Sequence, residues 1–242
     1  MALSPNKLGP ALGPDRHPSC GPSRLNNASH GFACETFNKR KGSFVDSDLA
    51  ESVSALKDIF TRRKIPATFG CADPAQVEEL RKTLRIPARY RAFLLEADPK
   101  DVETVTPVER LRFFPADRLA AEQVGYAFGD ATTPAHPAWR KNWVLIGRSA
   151  LLGDPYFLDV SKLDAEGDCP VLTAMTGTDS LKPELCASSF AQLLRILTTG
   201  MEVATGFGEN NLDDDDEAIF RETLGPKIKT IDSAALRSGH WT

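Results

Sequence analysis

Apolar positions along this chain recur first at helical spacing, then at strand spacing, then at helical spacing again. From Asp46 onward, Leu49, Val53, Leu56 and Phe60 lie one helical face apart, and Asp48 with Glu51 matches a capping box, which predicts a helix to about Arg63. Asp73-Pro74-Ala75-Gln76 reads as an N-cap, a proline at the first helical position and a Gln closing the box, with Val77, Leu80 and Leu84 as the buried stripe. Pro87 opens a third helix in which Tyr90, Phe93, Leu94 and Ala97 share a face, and the Pro99 region ends it.

The strand signals follow. Val108 to Phe114 has partial alternation and aromatic content, and a short helix from about Pro115 to Gln123 comes next. Tyr126 to Phe128 is a candidate short strand, and Pro134 and Pro137 make Asp130 to Arg140 a surface loop. Trp143 to Ile146 is a short continuous apolar run, as expected of a strand covered on both faces and broken at Gly147. Gly153, Asp154 and Pro155 supply a turn, after which Tyr156, Leu158 and Val160 point one way and Phe157 and Asp159 the other. Val171 to Met175 is a further candidate strand. Ser188 is the expected cap of a closing helix with Phe190, Leu193, Leu194 and Leu197 on its apolar face and Gly200 as its stop.

The ends differ in character. Residues 1–45 are rich in Pro, Gly, Ser and Asn with no apolar rhythm, so they predict a disordered tail whose plain role is a linker and whose sharper role is a partner-binding arm. Residues 46–205 form the expected α+β domain, and 206–242 an acidic extension with one helix. That helix is expected from about Asp213, where an acidic run suits the helix dipole, to Leu224, with Gly225-Pro226 stopping it, Ile219, Phe220 and Leu224 packing inward, and the last residues irregular.

Three segments in order carry a family resemblance. The central one, Trp143 to Val160, reads as apolar strand, Gly, a few residues, Gly-Asp, an aromatic and Leu-Asp. Upstream, Ile86-Pro87-Ala88-Arg89-Tyr90-Arg91-Ala92-Phe93-Leu94-Leu95 has the form Ile-Pro, two residues, Tyr, two residues, Phe-Leu; downstream, Ala187-Ser188-Ser189-Phe190-Ala191-Gln192-Leu193-Leu194 has the form Ala-x-Ser-Phe-x-x-Leu-Leu. Together they resemble the SUKH superfamily, known chiefly as bacterial immunity proteins and related to a fungal cell-wall regulator, over roughly residues 75 to 200. Where that family often has Asn-Gly after the first of these helices, this chain has Ala97-Asp98-Pro99. The resemblance implies an α+β fold with leading and closing helices packed on a mainly antiparallel sheet. It also implies a non-enzymatic inhibitor that binds a cognate protein toxin, often one acting on nucleic acid, and blocks its active site. A regulatory scaffold like the fungal branch is the alternative reading.

Charge narrows the partner. The 242 residues carry a formal net charge of -4, with a basic excess in the first 45 and an acidic excess beyond, so direct nucleic-acid binding is disfavoured and an acidic domain meeting a basic partner is favoured. Five cysteines at 20, 34, 71, 169 and 186 lack the close pairs of a zinc site, and reduced thiols are the simpler reading. The first residues lack the apolar core of a signal peptide, and no run approaches a membrane span, so a cytoplasmic location is expected.

Catalytic signals are thin. Of four histidines, His17 and His30 lie in the tail and His240 near the end, leaving His136 in its Pro-rich loop, where a solvated histidine is the bland reading. Gly147-Arg-Ser149-Ala-Leu-Leu-Gly153 lacks the spacing of a nucleophile elbow. The acidic run fails as a calcium loop, with Ala218 where the turn needs Gly and Leu224 where a bidentate Glu should close the sphere. No cofactor or metal is expected. The expected partner contacts are Asp154, Asp159, Glu166 and Asp168 on the hairpin and the following loop, with Trp139 as an aromatic anchor.

Overall fold

The computed structural model describes residues 47–176, 180–207 and 214–242. The expectations for residues 1–45, and for the helix start at Asp213, fall outside these. All described residues belong to one compact unit, Lys41–Thr242.

Three helices lead, as the apolar rhythm predicts. The first, α1, spans Ser47–Arg63 and buries Leu49, Val53, Leu56, Ile59 and Phe60. Asp48 sits inside its first turn, where its carboxylate pairs with Arg195 of the closing helix and so ties the two helices together. The second, α2 (Pro74–Thr83), is capped by Asp73, whose carboxylate accepts from the Ala75 N–H at 2.9 Å. The third, α3 (Ala88–Ala97), buries Tyr90, Phe93, Leu94 and Ala97, the expected face. Two short strands, β1 (Thr68–Gly70) and β2 (Asp98–Asp101), pair antiparallel around α2 and α3. Proline sits in this small sheet because it lies at an edge, where a missing N–H is tolerated.

The main sheet has five strands in the order β3-β4-β5-β6-β7, with every neighbouring pair antiparallel: β3 (Leu111–Phe113), β4 (Trp143–Ser149), β5 (Pro155–Asp159), β6 (Val171–Thr173) and β7 (Glu184–Ala187). A four-residue helix, α4 (Ala116–Leu119), and a 3-10 turn precede the Pro-rich loop. The fold is α+β with a mainly antiparallel sheet, as expected. Gly147 does not end β4. The strand runs through it, with a bulge between Leu145 and Gly147. A Cβ at Gly147 would stand 2.6 Å from the Arg112 carbonyl oxygen, so this glycine is where β3 crosses close against β4. Tyr126 to Phe128 is a turn with one isolated bridge, not a strand, and β7 is a strand that sequence reasoning missed.

One face of the sheet packs on the helices. Phe190 of the closing helix α5 (Phe190–Val203) stands edge-on to Tyr90 and Phe93, each with ring centroids 5.0 Å away. The other face carries a smaller cluster of Trp143, Phe157, Leu172 and Ala174, against which Trp139, Leu181 and Leu185 pack. Ser189, not Ser188, caps α5 through its oxygen and the Gln192 N–H. Ser188 instead donates to Asp232. Gly200 does not stop α5 either; the helix runs on to Val203.

The chain after α5 holds two helices where one was expected: α6 (Asp214–Ile231), which continues through Gly225-Pro226, and α7 (Ser233–Ser238). Phe220, Leu224 and Ile228 are buried at four-residue spacing on both sides of the proline, so one continuous packed stripe overrides the break. Ile219 is exposed rather than inward. The last residues are also ordered, since Trp241 is buried and its indole N–H donates to the Cys186 carbonyl at 2.8 Å. Cys71 is disulfide-bonded, against the expectation of reduced thiols throughout, whereas Cys169 and Cys186 are free and buried. Among the described residues, no helix is long and apolar enough to cross a membrane.

Candidate functional site

The β4-β5 hairpin ends in a tight tip. The Ser149 N–H donates to the Asp154 carbonyl at 2.8 Å, the Gly153 N–H returns to the Ser149 carbonyl at 2.9 Å, and the Ser149 hydroxyl accepts from the Leu152 N–H at 3.1 Å. Gly153 has φ +79°, which is why glycine stands there. With the Ser149, Leu152 and Gly153 N–H groups bonded within the turn and the Ala150 N–H held by the Arg110 carbonyl, the tip presents two leucines outward. Leu151 is 50% and Leu152 72% exposed, and Met175, just past β6, is 76% exposed. The Asp154 carboxylate clamps the two segments together by accepting from the Thr176 N–H at 2.8 Å and its hydroxyl at 3.0 Å.

Beside this apolar rim lies a pocket of about 180 Å³ lined by Glu109, Leu152, Asp154, Met175, Glu184 and His240, among others. Its charge is negative, because Glu109, Asp154 and Glu184 face a single guanidinium, Arg221, which is already paired with Glu217 at 2.9 Å. Behind it, the Tyr156 hydroxyl and His240 Nε2 are hydrogen-bonded at 2.9 Å. Burial holds the His240 imidazole down to about 4, with Arg221 pushing the same way and Asp154 opposing. Burial, and after it the neighbouring Cys186 and Glu109, raises the Tyr156 phenol well above its usual value. Both rings are therefore neutral near pH 7, and the carboxylates set the sign of the pocket.

The expected contact residues divide. Asp154 lies at the hairpin tip and lines the pocket. Glu166 is exposed on the loop after β5. Asp159 and Asp168 are corrections: both are buried, not on a surface that a partner would meet. Asp159 accepts from the Ser161 N–H at 3.2 Å and caps the 3-10 turn after β5. Asp168, 0% exposed, accepts from the N–H groups of Cys169 (2.7 Å), Phe190 (2.9 Å) and Ala191 (3.2 Å) and from Arg89 (3.3 Å), which makes it the anion at the start of α5. Trp139 is half-buried, stacked among Tyr126, Trp143 and Phe157, with its indole N–H donating to the Trp143 carbonyl at 3.2 Å. His136 is partly buried and accepts from the Ala138 N–H within its own loop.

Sequence reasoning missed Leu151, Leu152 and Met175. The available signal was the pair of leucines inside a turn, a place where polar residues are the rule. Glu109 and His240 carried no local signal, since only the tertiary fold brings them together. Among the described residues, no group of three or more His, Cys, Asp or Glu is placed to hold a metal ion.

The comparisons agree with the architecture. No curated protein matches the chain. The model of the SMI1 / KNR4 family (SUKH-1) matches residues 71–196, which runs from just before α2 into α5 and takes in the whole five-stranded sheet. That match spans more than half of the 242 residues, and the chain belongs to the SMI1 / KNR4 family.

Proposed function

We propose that this chain is a cytoplasmic immunity protein that binds a cognate bacterial toxin, one acting on nucleic acid, and neutralises it by occluding its active site. The SMI1 / KNR4 (SUKH-1) family includes immunity proteins, which act by binding other proteins. The observation that carries the reading is the apolar rim of Leu151, Leu152 and Met175 beside a pocket of three carboxylates. Exposed large apolar side chains clustered on a monomer mark interaction surfaces, and interface hot spots pair desolvated apolar anchors with matched charge. A toxin that grips phosphates presents lysines and arginines, which an acidic pocket receives while the leucines and methionine exclude water around it. Asp154 is the central contact in this reading, with Glu166 and Trp139 as outlying ones.

The test is titration calorimetry against the toxin-like product encoded beside this gene. A Kd at or below ~1 nM, about 12 kcal/mol, is expected for the wild type, and the double substitution Leu152→Asp with Met175→Asp weakens it by about 100-fold or more. An unchanged affinity in the double variant removes this surface from the interface. Several weak partners that vanish on deleting residues 1–45 point to a regulatory scaffold instead.

A further inference from the structure

A cleft of about 380 Å³ is lined by residues of three segments: the C-terminal turn of α2 and the residues just after it, the turn at Ala127 and Phe128, and the approach to β4 with its first residues. Its cations are Lys82, Arg85 and Lys141, and none of the residues lining it is acidic. Among the described residues these three cations make no ion pair, although Lys82 stands close enough to Glu78 to help lower its carboxyl. Its aromatic lining is Phe128, 46% exposed, with Trp139 and Trp143. Trp143 is buried, and its indole N–H has no hydrogen-bond partner. Arg85 also stands at φ +58°, in the left-handed region just past the end of α2 where glycine is the easy residue.

We propose that this cleft binds a nucleoside monophosphate, with the base against Phe128 and Trp139 and the phosphate among Lys82, Arg85 and Lys141. The volume lies in the range of small-ligand sites, and unpaired cations beside an exposed ring are the two elements that recognise a flat base carrying an anion. The size of the cleft and the acidic balance of the domain restrict this to a mononucleotide and exclude a polymer, which would need a continuous basic track. The cleft shares no residue with the pocket at the hairpin tip, and of the contacts in the toxin-binding reading it uses only the outlying Trp139.

Tryptophan fluorescence of the full chain, titrated with AMP, GMP, CMP and UMP and with adenosine and inorganic phosphate as controls, reads the site directly. At least one monophosphate should bind below about 1 mM and about tenfold tighter than either adenosine or phosphate, and it should weaken as salt rises. The pair Arg85→Gly with Lys141→Ala should lower that affinity about tenfold. Arg85→Gly relaxes the backbone, so an unchanged melting temperature for the pair separates lost binding from lost folding. Phe128→Ala should weaken the nucleotide and leave phosphate unchanged. The proposal is overturned if no monophosphate binds, if adenosine, phosphate and nucleotide bind alike, or if a glutamate-rich peptide binds through Lys141 while the nucleotides do not.

Discussion

Replacing Asp168 by alanine should destabilise the domain severely while leaving partner affinity intact. Its carboxylate takes four donors at 2.7 to 3.3 Å: the Cys169, Phe190 and Ala191 N–H groups and the Arg89 guanidinium. Two of these are orphan N–H groups of α5, the helix that contributes Phe190, Leu193, Leu194 and Leu197 to the core. Hydrogen bonds to a charged acceptor contribute about 1.5–3 kcal/mol each, but they overlap, and removing one partner of a buried pair costs about 3–5 kcal/mol in all. That is a large share of the roughly 5–15 kcal/mol holding an ordinary domain together. Asp168→Asn keeps an acceptor and loses the charge, so about half the penalty should remain. Urea unfolding followed by far-UV circular dichroism measures the difference, with an unchanged slope showing that only stability moved. A loss under about 1 kcal/mol, or a well-folded variant that has lost tenfold or more in toxin affinity, would refute the reasoning and return Asp168 to the interface.

Two further outcomes test other parts of the structure. Gly147→Ala should cost about 1–3 kcal/mol or more in the same unfolding assay, because the new methyl meets the Arg112 carbonyl at 2.6 Å and the Leu111 side chain at 2.9 Å, and backbone cannot step aside as a side-chain tip can. His240 makes stability depend on pH: its folded value of about 4 lies below the ordinary 6.5, so between these the unfolded chain binds a proton that the folded chain does not, and stability falls as pH drops from 6.5 towards 4. The loss attributable to this ring is at most about 3 kcal/mol, less for its partial exposure, and His240→Gln should flatten that part of the profile relative to wild type.

Apolar patterning together with caps and turn residues located the leading helices, the hairpin and the closing helix; Val77 and Leu80, or Tyr90, Phe93, Leu94 and Ala97, are written at the spacing the backbone imposes. The errors fell where a local signal met a tertiary one. Gly147 reads as a break and is a close approach, Gly200 reads as a stop and lies inside α5, and Gly225-Pro226 reads as a stop inside a helix whose stripe of Phe220, Leu224 and Ile228 is packed on both sides of it. Ser188 and Ser189 are equivalent caps in sequence, and only the position of Asp232 decides between them.

The candidate site was less legible than the fold, for the same physical reason. An aspartate in a loop after a strand looks solvated whether or not a helix begins above it, so Asp168 and Asp154 could not be told apart until α5 and Thr176 were in place. The sequence by itself determined the secondary elements, the family pattern and the acidic balance, all of which are properties of neighbouring residues or of sums. Tertiary structure decided which carboxylates are spent on backbone N–H groups, that Glu109, Asp154, Glu184 and His240 share one pocket, and that exposed Leu152 and Met175 both border it. Burial and through-space charge depend on residues far apart in the chain, and no local pattern encodes them.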